Sequence, residues 1–322
     1  MRAGDLLARG AATCALGVLL TCGGETARST AGSDAPEGRA AAEAPGPTTA
    51  PGSDEDWGIV REKALWAYDQ GLAELPMGEL VARIGETFVG TPYAPHTLEV
   101  AGEERLVVKL QELDCVTFVE NVLALARFVQ MAPDVMLDDP AERYRPFYAG
   151  ILERIRYRGG TLDGYSSRLH YFSEWISDNS DKGILRNISQ EIGGVVDTER
   201  IDFMTTHADA YRQLGEDPQL LPALEAVESR LSESPRFYVP EERIEEVAER
   251  IRDGDVIAVT STVAGLDIAH TGIALWRDGR LHLLHAPLVG GVVQISEVPL
   301  AERILRIRSQ DGVMVARPLD AR

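Results

Sequence analysis

Apolar residues recur at intervals of three, four and seven from Val116 to Ala126, through Val119, Val122 and Leu123, the spacing of one buried helical face. The helix this predicts covers 113–128, LDCVTFVENVLALARF, and opens on an acidic residue and a cysteine. The same period predicts helices over 59–75 and 78–90 before it, and over 141–157, 217–232 and 240–252 after it. Gly159-Gly160 ends the helix at 141–157, and Pro240 opens the last one. Between them, 106–110 reads as a short strand, and GTPY (90–93) as a turn that brings Tyr93 round ahead of the central helix. Residues 164–179, GYSSRLHYFSEWISDN, mix aromatic and polar side chains without a clear apolar period and read as a substrate-facing loop.

From Asp255 the period changes to two. DVIAVTS (255–261), HTGIALW (270–276), LHLLHA (281–286) and GVMVARP (312–318) read as strands of an antiparallel sheet. Helices first and a sheet afterwards make an α+β fold. Asp278-Gly279 is a strong hairpin signal and fixes a register. With these two residues as the loop, Arg277 faces Arg280, His285 lies opposite Gly272, and His270 shares a face with His285 at a diagonal of roughly 7–8 Å between backbones. Gly272 leaves the space between the two rings empty. A slip of one residue would put the rings on opposite faces. His282 falls on the other face and is expected to be structural.

The N-terminal part has a different pattern. Residues 1–22 carry Arg2 and Arg9 ahead of a short apolar run, AATCALGVLL (11–20), too short for a permanent membrane span, and read as an export signal. Leu19-Leu20-Thr21-Cys22-Gly23 is similar to a bacterial lipoprotein cleavage box, with Cys22 as the residue to be lipidated; Thr21 and Asp5 depart from the usual pattern. Residues 23–56, rich in Ala, Gly, Pro, Ser, Thr and Glu, read as a disordered tether, which leaves 57–322 as the folded domain. The chain is expected at the bacterial cell envelope, attached to the membrane through the lipid alone.

Composition narrows the chemistry. The 322 residues carry 32 Lys and Arg against 51 Asp and Glu, a formal charge of −19 with no basic stripe, so nucleic acid is not an expected partner. Of three cysteines, Cys14 and Cys22 lie in the export segment, so the folded part holds one thiol, Cys115. A lone cysteine at a helix start is either a buried structural residue or a nucleophile whose thiolate is favoured by the free N–H groups and positive end of the helix. A nucleophile needs a base and a group that orients the base, and His270 and His285 could supply both. Arg168 and His170, in the polar-aromatic loop, are candidates either for substrate contact or for fixing that loop. The six histidines lack His-x-x-x-His spacing, no paired cysteines occur, and no glycine-rich phosphate loop is present, so neither a metal nor another cofactor is expected.

GTPY, then Asp-Cys opening an apolar helix, then His-Thr-Gly-Ile, then Leu-His-Ala, resembles the NlpC-type cell-wall cysteine peptidase superfamily, and more closely its N-acetylmuramoyl-L-alanine amidase-like branch. The longer strings are LDCVTFVENVLALAR (113–127), YSSRLHYFSEWISDN (165–179), IDFMTTH (201–207) and GLDIAHTGIAL (265–275). The resemblance covers roughly 77–318 and implies a papain-like core, with a cysteine at a helix N-terminus packed on a small antiparallel sheet. It implies Cys115 as nucleophile, His270 as general base, His285 as its orienting partner, Tyr93 as the aromatic residue near the sulfur, and Asp114 as a contact for a terminal amine of the stem peptide. Val116 stands where the wider superfamily usually has Ser, which weakens that amine-binding route.

The reaction so implied is hydrolysis of an amide bond in peptidoglycan or a muropeptide, at the MurNAc–L-Ala bond or, alternatively, at the γ-D-glutamyl–diamino-acid bond. A non-catalytic muropeptide-binding lipoprotein and an acyltransferase on the same triad are the rival readings.

Overall fold

The structure is a computed structural model that describes residues 51–321. The export segment, Cys22 and the tether up to residue 50 lie outside the described residues. Helix α1 (Asp54–Asp69) begins inside the stretch read as tether, because Ser53 and Asp56 cap it reciprocally. Helix α2 (Met77–Glu86) follows, then the central helix α3 (Cys115–Met131), α4 (Tyr144–Arg156) and α5 (Phe172–Asp181). Among the described residues eight strands form one antiparallel sheet: β1 (Leu185–Asn187), β2 (Val195–Asp197), β3 (Arg236–Pro240), β4 (Val256–Ser261), β5 (Ile268–Arg277), β6 (Arg280–His285), β7 (Gln294–Ile295) and β8 (Gln310–Pro318). The order is β2-β3-β8-β4-β5-β6-β7, with β1 also paired to β8.

Helix α3 is buried nearly all round, against α1, α2, α4 and β5, which is why its sequence is apolar well beyond one face. Its few polar side chains are satisfied locally. Asn121 donates to the Thr117 carbonyl and accepts from the Tyr148 hydroxyl at 2.7 Å, and Glu120 meets Arg156 at 2.7 Å with both side chains buried. The sheet has a core on each face. Val256, Ala258, Ile273, Leu275 and Leu284 turn to the helices, while Ile257, Val259, Ala274, Leu281 and Leu283 turn to the segment around Leu300–Leu305. Gly85 lets α2 sit directly on the hairpin, since a Cβ there would come within 2.9 Å of Leu284.

Three sequence expectations are corrected. Residues 106–110 are extended but form no strand: the Leu110 N–H is taken by the Asp56 carboxylate at 2.8 Å, the Val108 N–H by the Pro51 carbonyl, and the Val107 carbonyl by Arg156. The segment 164–179 is only half loop. From Phe172 it is helix α5, with Trp175 in the core and stacked on Phe172 at 4.6 Å between centroids. The helix expected at 240–252 is three short turns, Glu241–Arg243, Ile244–Val247 and Ala248–Arg250.

Candidate active site

Asp114 starts the site. Its Oδ1 accepts from the Thr117 N–H and the Thr117 hydroxyl, each at 2.8 Å, while Thr117 Oγ1 accepts from the Asp114 N–H at 2.9 Å. This reciprocal cap makes Cys115 the first residue of α3, where the backbone N–H groups point outward and the helix dipole favours negative charge. The preceding chain runs alongside: the Leu113 N–H binds the Pro92 carbonyl and the Ala94 N–H binds the Leu113 carbonyl, so Tyr93 lies next to the helix start.

The hairpin has Arg277 opposite Arg280, and the pairing continues through Ile273 opposite Leu284. His270 and His285 meet across it, Nε2 to Nδ1 at 2.7 Å, with the rings nearly perpendicular. Gly272 is what lets them close, because a Cβ there would lie 3.0 Å from His285 Cβ and 2.7 Å from the Leu284 carbonyl. Just before His270 the pairing of β5 with β4 shifts: His270 opposes Val259, but Ile268 opposes Thr260, so Ala269 is an extra residue. Such a bulge re-aims the side chain beside it, and nothing local in the sequence announces it.

A cavity of about 390 Å³ lies at this end of the sheet, within the roughly 300–1,000 Å³ usual for small-molecule sites. Cys115 and His270 both line it; His285 does not and stands behind His270. Cys115 is 1% exposed, so the sulfur is reached through the cavity rather than from the outer surface. Burial holds His270 neutral, well below the usual histidine range, and the neighbouring His285 and the Arg303 charge act in the same direction. Burial, then Arg303, pulls His285 down to about 3. Both rings are therefore neutral near pH 7. For His270 to accept a proton on Nδ1, its own proton must sit on Nε2 and be donated to His285 Nδ1, which fixes the tautomer of each ring.

Tyr93, Asp114, Arg168 and His170 all line the same cavity. Arg168 is held in place there: it donates to the Leu98 carbonyl at 3.1 Å and to Glu99 at 2.6 Å, approaches Glu104 at 3.5 Å, and its guanidinium lies over the Tyr165 ring. It ties the loop around residue 99 to the wall. His170 bonds the Tyr165 carbonyl at 2.8 Å and packs on the Tyr165 ring; burial and the Arg168 charge keep it neutral. Sequence reading overlooked Asp267, whose carboxylate accepts from the Ser173 N–H at the start of α5 and from the Ile268 N–H, at 2.8 and 2.7 Å, and lines the cavity three residues before His270. An acidic residue just ahead of a strand carrying a candidate base was the available signal. Among the described residues no cluster of His, Cys, Asp and Glu is arranged to hold a metal ion, and no helix is long and apolar enough to cross a membrane.

Residues 83–312 match the family model described as N-acetylmuramoyl-L-alanine amidase-like. Among solved structures, an N-acetylmuramoyl-L-alanine amidase from Bacteroides uniformis is 33% identical, with a TM-score of 0.69 over 76% of this chain and 99% of its own. A Bacteroides fragilis protein provisionally named a xylanase is 36% identical, with a TM-score of 0.66 over 72% and 98%. A Legionella pneumophila protein at 20% identity shares the fold, with a TM-score of 0.57 over 81% and 94%. Among curated proteins none matches.

Proposed function

The chain belongs to the N-acetylmuramoyl-L-alanine amidase-like family, and on that premise we propose that it is a cysteine-dependent hydrolase of the MurNAc–L-Ala amide in peptidoglycan fragments, built on a papain-like core of the NlpC type. The observation that carries this reading is one cavity lined by a cysteine at a helix start and by a histidine bonded at 2.7 Å to a second histidine. His270 Nδ1 takes the Cys115 proton and the sulfur attacks the lactyl carbonyl. The tetrahedral intermediate collapses as His270 returns the proton to the alanine nitrogen, which leaves. Water, deprotonated by His270, then attacks the thioester and frees Cys115. His285 accepts from His270 Nε2 throughout and holds the ring at the required angle.

Cutting instead at the γ-D-glutamyl–diamino-acid bond would require recognition of a free alanine amine near Asp114. One oxygen of that carboxylate is committed to the cap, and Val116 offers no hydroxyl beside it. A glycosidase reading, prompted by the xylanase name of one relative, needs two free carboxylates facing each other across the bond. The cavity's acids are instead engaged: Glu99 with Arg168, Glu120 with Arg156, Asp114 with Thr117, and Asp267 with two backbone N–H groups. A pure binder would have no use for the whole constellation of Cys115, His270 and His285. We further propose that the protein is exported and anchored through Cys22, with peptidoglycan as its partner. Mass spectrometry of a digest of a defined MurNAc-peptide tests the chemistry. The expected products are the muramic acid fragment and a peptide with a free L-Ala amine, with none from Cys115→Ala; equal turnover by that variant would remove the proposal.

A further inference from the structure

We propose that Thr271 contacts the substrate, its hydroxyl donating a hydrogen bond to the carbonyl oxygen of the scissile amide as that oxygen takes up negative charge. The inference rests on the amide-hydrolase reading above. Thr271 is 1% exposed, and its Oγ1 has no hydrogen-bond partner among the described residues. It lines the cavity that Cys115 and His270 line. Buried hydroxyls are nearly always paired, because leaving one unpaired forfeits its hydration with nothing in return. Valine has the same shape and an equal preference for strands, so packing alone gives no reason for a hydroxyl here.

The strand fixes where the group stands. Thr271 opposes Ala258, whose side chain belongs to the core beneath α3, the helix that begins at Cys115. His270 opposes Val259, which belongs to the core on the other face. Consecutive residues of β5 thus bring base and hydroxyl to the cavity from different sides. Acyl transfer needs that separation: the base must follow the sulfur and the leaving nitrogen, while the oxygen that gains charge points elsewhere on the tetrahedral carbon. An N–H of the first turn of α3 and the Thr271 hydroxyl would form the two-donor set such an oxygen requires.

Steady-state kinetics of Thr271→Val and Thr271→Ser on the defined MurNAc-peptide, with thermal unfolding of each, test this. Thr271→Val is expected to unfold at or above the wild-type temperature while kcat falls on the order of 10²-fold with little change in KM. Thr271→Ser, which keeps the hydroxyl, is expected to stay close to wild type. Unchanged kcat in Thr271→Val overturns the inference alone, as does a parallel loss of stability and activity in both variants. Should the valine variant not fold, Thr271→Ala is read by the same criteria. A wild-type protein without amide hydrolysis overturns the underlying reading, and the inference falls with it.

Discussion

At the scale of single residues, the His270–His285 pair, proposed above to serve as base and orienting partner, sets a pH dependence. Burial keeps each ring neutral in the folded chain, whereas the unfolded chain takes up a proton at each near the ordinary value of 6.5. Below that pH the unfolded state binds more protons than the folded one, so stability drops as pH falls from about 6.5 toward about 3, and the full contribution is present above 6.5. His170, neutral for the same reason, adds to the trend. Each ring contributes at most about 1.4 kcal/mol per pH unit within its window. Urea unfolding at a series of pH values should therefore show a shallower loss between pH 6.5 and 4.5 for His285→Asn than for the wild type. Asparagine also keeps an oxygen that can accept from His270 Nε2. Its kcat should accordingly fall less than that of His285→Ala, for which a loss of about 10²-fold is expected in the same peptide-release assay.

Elements explain why these residues meet. The hairpin register was readable because the Asp278-Gly279 turn fixes every later pair by counting, and the apolar period put Cys115 at or near the first turn of the central helix, though not the exact start, which the Asp114–Thr117 cap fixes. The bulge at Ala269 was not, since it depends on pairing with β4, which is distant in sequence. Helix α5 was hidden by its polar content: Asn179 looks like a loop residue but is buried, donating to the Ile155 and Trp175 carbonyls. Gly272→Ala tests the hairpin. The added Cβ presses on the Leu284 carbonyl and on His285, so denaturation should show a loss of about 1–3 kcal/mol, with kcat reduced as the histidine pair is displaced. Behind α3, Arg156→Met would strand Glu120 in the core and cost about 3–5 kcal/mol by denaturant titration, whereas Arg156→Met with Glu120→Leu should recover most of it.

For the whole molecule, an α+β class followed from helical periods giving way to strand periods, and the described chain has that order in outline. Short strands β1, β2, β3 and β7 escaped the sequence because two to five residues carry too little pattern; long-range pairing with β8, with one another and with β6 defines them. The sheet thereby gains a core on each face, and the candidate cavity opens where α3, β5, the start of α5 and the loop held by Arg168 converge. Arg168 and Asp267 show how such a cavity is assembled, each joining loops or helices far apart in the chain. Acid-quenched peptide mass spectrometry of the protein caught during turnover of a MurNAc-peptide tests the proposed covalent chemistry at Cys115 directly. A muramoyl adduct on the peptide containing Cys115 is the predicted result; sustained hydrolysis with Cys115 unmodified at every time point, and undiminished in Cys115→Ala, would contradict it.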